Sequence, residues 1–405
     1  MSGNYDVLVV GGGPAGATAA ALLAEAGWKV ALVEQKAFPR RKVCGEFISE
    51  TTWPLLQRLG VADELRALAG PIVRRVGVFV EGATHTAALP GAKAVAGEGG
   101  RALGREYLDT VLLRHAATVG AEVLQPWTLA GFTDCGNHYQ CQLAEKPGGR
   151  VRDCRATLII AAHGSWEMGV LPTQTFHRRA RASDLFGFKA HFKDSALPQD
   201  LMPLIAFPGG YGGMVHSDDG RMSLSCCVRR DTLEQCRKQS PGISAGEALQ
   251  VHITTHCEGV AQALSQARRD GPWLAAGPLR TGIRSFGNGR IFAVGNAVAE
   301  AHPIVAEGIS MAMQSAHLLC ELLLCRKANA TADAVLESIL LDYEAAWRRN
   351  FSSRLHMAAL YAHLFMRPRT ARVASAAVRM APELIAVGAR LSGKAQPLRS
   401  SVRAR

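Results

Sequence analysis

Six residues near the N-terminus, Gly11-Gly12-Gly13-Pro14-Ala15-Gly16, constrain this chain more than any other feature. They follow a short apolar run, Tyr5-Asp-Val-Leu-Val-Val10, that reads as a buried parallel strand. They open an Ala- and Leu-rich stretch from Pro14 to Gly27 that reads as a helix closed by its glycine. Lys29 to Glu34 is a second buried strand, so the unit is βαβ. Gly11 permits the tight exit from the strand, Gly13 lets backbone approach a pyrophosphate, and Gly16 lets helix and strand pack closely. The helix start at Pro14-Ala15 supplies unpaired N–H groups and partial positive charge for phosphates. Glu34, roughly 20 residues on, stands where an acid would hold ribose hydroxyls, with Gln35 beside it. Together these features predict a dinucleotide site.

Further along, helical patterning runs from about Thr51 to Leu68, Arg105 to Val119 and Ser244 to Glu258. Strands are expected at Val73–Val80 and Thr84–Leu89, near Glu122, Phe132 and Tyr139, and over Val151–Ala161. The pattern turns to β from Leu185 to Arg229, and Arg290–Val294 is one more buried strand. Ala306 to about Lys327 and Thr331 to about Phe365 read as long helices. Pro90 to Gly100, rich in Gly and Ala, reads as a mobile loop.

Four later stretches look like parts of one site. They are Phe38-Pro-Arg-Arg-Lys-Val-Cys-Gly-Glu46, Arg105 at the head of its helix, Ala162-His163-Gly164-Ser165, and Gly295-Asn296-Ala297 with Pro303 and Glu307-Gly308-Ile309. In this order they resemble, from Tyr5 to roughly Ala316, the FAD-dependent oxidoreductases that include p-hydroxybenzoate-hydroxylase-like monooxygenases, geranylgeranyl reductases and flavin-dependent halogenases. The resemblance implies FAD as cofactor. It implies that Arg41 or Lys42 meets the phosphates or the flavin edge, that Cys44-Gly45 lies near the flavin ring, and that Arg105 reaches the FAD. The family usually shows Ala-Asp-Gly where this chain has Ala162-His163-Gly164, and Gly-Asp-Ala where it has Gly295-Asn296-Ala297. His163 removes a carboxylate linked to FAD and, in hydroxylases, to reduced nicotinamide; Asn296 keeps an acceptor for the ribitol chain. NADH or NADPH is the implied electron donor. The turn from Pro303 to Gly308 would place the next helix's positive N-terminus against the flavin's pyrimidine edge, with Gly308 and Ile309 among the cofactor-binding residues.

The resemblance also implies the fold class: α/β, with a Rossmann-like FAD-binding domain of glutathione-reductase type interleaved with a β-sheet substrate domain, plus C-terminal helices. Residues 1–72, 101–184 and 272–327 are expected in the FAD-binding domain, 73–100 and 185–271 in the β-rich substrate domain, and 328–405 in a helical region. Phe207-Pro-Gly-Gly-Tyr211-Gly-Gly213 is similar to a Gly-Tyr-Gly-Trp stretch of the reductase branch, with Gly213 where Trp is usual. Tyr211 would then sit over the substrate cavity.

Three reactions compete. Oxygen insertion into a hydrophobic or aromatic small molecule is expected first, hydride delivery to a carbon–carbon double bond second. Halide oxidation ranks last, because no Trp-x-Trp-x-Ile-Pro stretch occurs and Trp166 sits in Ser-Trp-Glu-Met. A flavin-binding protein without turnover is the non-enzymatic alternative. Cys44, Tyr211 and His302 are the candidate catalytic residues, with His216 and His191 behind them.

The chain has 405 residues, 48% hydrophobic and 20% charged, as expected of a globular protein with two packed domains. Its net charge of +12 is partly local, with Arg367, Arg369, Arg372, Arg379, Arg390, Lys394, Arg399, Arg403 and Arg405 crowding the C-terminal tail. No zinc-finger spacing or RNA-binding aromatic signature accompanies it, so nucleic acid is not an expected partner. The ten cysteines include no CxxC pair or Cys/His ligand spacing, which predicts reduced thiols, a cytoplasmic setting and no metal. Cys226 and Cys227 should point to opposite faces of a strand. No leader is expected before Tyr5, because the chain enters a strand at once, and no uninterrupted apolar run reaches the roughly 20 residues that span a bilayer. From Arg354 to about Leu391 apolar residues and arginines alternate at helical spacing. That stretch is expected to pack on the protein and show a basic face; a helix lying on an anionic membrane is the alternative.

Overall fold

The computed structural model describes residues 3–89, 99–174, 179–326, 332–393 and 398–400. The expected mobile loop at Pro90 to Gly100 lies almost wholly outside them, as do Lys394, Arg403 and Arg405.

The first sheet, of eight strands, has a five-stranded parallel core. Its strands are Ile291–Ala293, Val151–Ala161, Gly3–Val10, Val30–Val33 and Glu122–Leu124, in that spatial order. Register aligns Val10 with Val33 on one side and with Ala161 on the other, and Ala161 with Ala293. All four turns that leave these strand ends therefore emerge at one edge: Gly11, Glu34, Ala162 and Gly295. Ligands of open α/β sheets bind at that carboxyl edge. The strands are buried on both faces, which explains their continuous apolar runs. The Pro14–Glu25 helix packs between the sheet, the Arg105–Thr118 helix and the Gly308–Cys325 helix. Gly308–Cys325 is apolar and long enough to reach across a membrane, yet two thirds of it is buried in this core.

The second sheet runs Arg268–Arg269, Leu185–Lys193, Met222–Arg229, Gly210–His216, Leu201–Phe207, Arg75–Val80, Ala83–Ala88. Leu274–Ala276 also pairs with Leu185–Lys193. Pairing is antiparallel except between Leu201–Phe207 and Arg75–Val80. One face carries Phe79, Phe188, Phe192, Met214, Leu224 and Cys226 against the helices Ala245–His256 and Glu258–Ala263. The other face carries Val76, Val78, Tyr211, Val215 and Cys227, and meets the C-terminal helices Pro368–Met380 and Glu383–Leu391. Cys226 and Cys227 do face opposite ways, and all ten cysteines are free thiols.

Several boundaries differ from expectation. The helix expected from Thr51 to Leu68 breaks into a short turn and two helices, Trp53–Arg58 and Ala62–Leu68, because Gly60 enters the left-handed region at φ +70°. The helix expected from Ser244 ends at His256, where Cys257 is extended, and Glu258–Ala263 follows. The stretch Arg354–Leu391 is split into three helices ahead of Pro368 and Pro382. A helix at Arg230–Gln239 had no apolar signal to find, since only Cys236 on it is buried.

Candidate active site

The strand ends and the second sheet enclose a cavity of about 490 Å³. Its floor is made by the first motif. Gly11 has φ +112°, and a Cβ there would stand 2.5 Å from the Ala162 carbonyl oxygen. A Cβ on Gly16 would stand 1.8 Å from the Gly11 carbonyl oxygen, so helix and turn touch backbone to backbone. A Cβ on Gly13 meets only the Arg105 guanidinium, at 3.6 Å. Gly11 and Gly16 are thus required by the chain itself, whereas the space over Gly13 is kept clear for something else. Arg105 points into that space. It is buried and held by two bonds to Asp109, at 2.6 and 2.7 Å. Burial works to lower its pKa, but Asp109 and the Cys44 thiol outweigh burial and raise it, so Arg105 stays charged.

Glu34 is 2% exposed and accepts from the Gly12 and Lys36 amides, both at 2.9 Å. Gln35 bonds the Glu167 side chain, whose carboxyl is raised by burial and then by the Glu34 charge. Lys42 lines the cavity half-buried, its pKa lowered by burial and by the neighbouring Arg105 and Arg40. Arg41 does not join it. Its guanidinium turns outward to Glu106 at 3.2 Å and to the Asp270 carbonyl at 3.1 Å, so of the two basic residues proposed for the phosphates only Lys42 faces the cavity. Cys44 and Gly45 line the cavity beyond it.

His163, Gly164 and Asn296 lie on the wall between floor and second sheet. His163 shares a bond through its Nε2 with Thr173 at 2.8 Å. Burial, with Arg284 and Arg280 nearby, lowers its pKa to about 4 and keeps the ring neutral. The Asn296 side-chain amide donates to Ser165 at 3.0 Å, and the Asn296 backbone carbonyl accepts from Arg284. Gly295, at φ +60°, packs against Ala15 rather than facing the cavity; a Cβ there would stand 2.9 Å from the Ala15 Cβ. The last motif turns through Pro303–Val305 and Ala306, a non-glycine residue at φ +53°, before the helix starts at Gly308, two residues later than its sequence pattern begins. Gly308 and Ile309 present that helix end to the cavity.

Farther from the glycine turn the wall is apolar, made by the second sheet, by Tyr361 and Phe365 of the Asp333–Phe365 helix, and by Val378, Ile385 and Ala389 of the two helices after it. Tyr211 and His302 meet in it at 3.1 Å. Burial, then the Cys227 thiol, raises the Tyr211 hydroxyl well above its usual range, and burial pushes Cys227 up to about 12. Burial and His363 lower His302 to about 4.

One cluster escaped the sequence reading. Glu46, at φ +62°, is fully buried, in contact with Lys189 and 3.0 Å from His191. Burial alone would raise the Glu46 carboxyl, but Lys189 and His191 outweigh it and hold it down at about 2. The partners lie 143 and 145 residues away, and only the alternation of Lys189 and His191 on one strand face could have signalled them. His191 thus works within this cluster, and His216 bonds the Leu197 carbonyl at 2.8 Å.

A pyrophosphate turn, an acid at the second strand end and a cavity of about 490 Å³ closed by a second sheet define a dinucleotide-binding protein of Rossmann type. The chain belongs to the FAD binding domain family, whose model matches residues 4–356. It is 23% identical to a menaquinone reductase of Mycolicibacterium smegmatis over 97% of this chain and 92% of that one. A digeranylgeranylglycerophospholipid reductase of Methanopyrus kandleri is 26% identical over 89% of this chain and 87% of its own length. Among solved structures, a myxobacterial FAD-dependent chondrochloren halogenase superposes with a TM-score of 0.77 at 20% identity, over 96% of this chain and 91% of the other. The protein is an FAD-dependent oxidoreductase of this superfamily. The residues present fit the cofactor: clear space over Gly13 with Arg105 and Lys42 beside it suits a pyrophosphate, and Glu34 at the strand end suits a ribose.

Proposed function

We propose that this oxidoreductase adds hydrogen across a carbon–carbon double bond of a hydrophobic, polyprenyl-like molecule, a reading that moves ahead of oxygen insertion. The observation that carries it is Tyr211, a hydroxyl kept protonated inside an apolar wall and bonded to a neutral histidine. FAD, when bound, supplies the two-electron chemistry. Gly11, Gly13, Arg105, Lys42 and Glu34 would hold its nucleotide half, and Gly45, Gly164, Asn296, Gly308 and Ile309 would line the space for its other half. Saturating an alkene also needs a proton at the second carbon. Tyr211 donates that proton, and His302 conducts a replacement. The apolar wall excludes water, so the proton comes from a positioned group. The reductase names of the two near-full-length relatives support the same reading. NADH or NADPH is the proposed electron source.

Oxygen insertion is the second reading, favoured by neutral His302, which can take a phenolic proton. The test is mass spectrometry of a quinone-free polyprenyl lipid incubated with reduced, FAD-loaded protein, under nitrogen and under air. Gain of two hydrogens under nitrogen is expected. Gain of one oxygen atom, under air only, overturns the reading in favour of the second.

A further inference from the structure

The two C-terminal helices have a second, outward face that meets the cavity only at its edge. Ala371, Ser375 and Val378 of Pro368–Met380, and Ile385 and Ala389 of Glu383–Leu391, turn inward. The outward stripe of the first helix holds Val373, 71% exposed, and Met380, 84% exposed; that of the second holds Leu384, Val387 and Leu391. Of the thirteen large apolar side chains exposed among the described residues, five fall in this 24-residue stretch. Scattered exposed apolar residues are ordinary, but a concentration on one amphipathic pair is not. The same stretch carries four arginines, Arg369, Arg372, Arg379 and Arg390, all exposed, against a single acid, Glu383. Arg372 is engaged with Glu81 at 2.7 Å. Ala377 and Leu384 are exposed and also line the cavity, so the wall opens on this face.

We infer that this face docks on an anionic lipid bilayer. Apolar side chains enter the boundary between headgroups and chains, arginines meet the anionic headgroups, and the opening at Ala377 and Leu384 faces the lipid, from which a hydrophobic substrate can enter without crossing water. A protein partner would need no such excess of one charge, and a second copy would set arginine against arginine. Packing on the protein and lying on a membrane are therefore not rivals for these helices: each uses a different face. The inference stands on this surface and does not depend on which reaction the cavity performs.

The test is co-sedimentation of full-length, FAD-loaded protein with vesicles of phosphatidylcholine alone and of phosphatidylcholine with phosphatidylglycerol. Binding is expected to the anionic vesicles only and to weaken with salt. Val373→Glu/Met380→Glu and Arg369→Glu/Arg379→Glu should each lower the partition coefficient more than about tenfold, since each arginine near an anionic surface contributes a several-fold factor. Retained FAD absorbance and an unchanged melting temperature show that these surface variants are folded. Equal partitioning into both vesicle types, no partitioning, or unchanged binding by folded variants overturns the inference. So does a concentration-dependent dimer that Val373→Glu/Met380→Glu abolishes while vesicles bind nothing, which assigns the face to a second copy.

Discussion

Tyr211 and His302, 91 residues apart in sequence, share a hydrogen bond of 3.1 Å inside the apolar wall of the cavity. Tyr211→Phe removes the hydroxyl and leaves the ring in place. Loss of a positioned proton donor typically costs about 10²- to 10⁴-fold in rate. Turnover in Tyr211→Phe is expected to fall in that range with KM little changed, and His302→Asn should fall less. Steady-state kinetics read both. An unchanged kcat in Tyr211→Phe removes the tyrosine from the chemistry.

Gly13 and Gly16 separate what the fold needs from what the cofactor needs. Gly13 has φ −71° and ψ −176°, which any residue adopts, and a methyl there meets only Arg105 at 3.6 Å. Gly13→Ala should fold and melt like the parent without FAD, yet bind FAD at least about tenfold more weakly, the cost of one lost charge-assisted contact. Gly16→Ala forces a methyl to 1.8 Å from the Gly11 carbonyl and should not yield folded protein. Apo melting curves and fluorescence titration with FAD check the pair; a Gly13→Ala protein with parental affinity removes the pyrophosphate from that spot.

The strand exits at Gly11, Glu34, Ala162 and Gly295 were legible because each is a local event: an apolar run, then a residue that turns the chain. Register then carries all four to one edge without further instruction. Arg41 and Lys42 were not separable, since an irregular loop has no period from which to read the side a residue faces. The Glu46, Lys189 and His191 cluster was hidden because its members meet only after two domains close on each other. The C-terminal helices showed their amphipathic pattern in sequence, but a pattern names two faces and not what covers them. Only the tertiary structure makes one face the roof of a cavity.

Two neutral histidines predict an acid-sensitive fold. His163 and His302 are both lowered to about 4 by burial, against an ordinary value near 6.5. The unfolded chain therefore binds more protons than the folded one between those values. Stability from each histidine is fully present above about pH 6.5 and is lost as pH falls to about 4, on the order of 3 kcal/mol each. Urea denaturation from pH 7 to pH 4 should show this decline, and His302→Gln should flatten part of it. A parental profile that is level over this range contradicts the burial assigned to the two rings.

Glu46 and Lys189 predict a different signature, visible only in combination. The Glu46 carboxyl is held at about 2, so its stabilising charge is present above about pH 4.5 and lost as pH falls toward 2, below the histidine range. At neutral pH, Glu46→Gln leaves the Lys189 ammonium buried without a counter-charge, and Lys189→Met leaves the Glu46 carboxylate with only His191. Breaking one side of a buried pair costs about 3 to 5 kcal/mol, whereas removing both charges is close to neutral. Each single variant should therefore melt well below the parent, and Glu46→Gln/Lys189→Met should recover most of the loss. Because Glu46 also lines the cavity two residues from Cys44, FAD affinity should follow the same order, weak in the singles and restored in the double. Additive losses in the double variant would show that the two charges do not act as a pair.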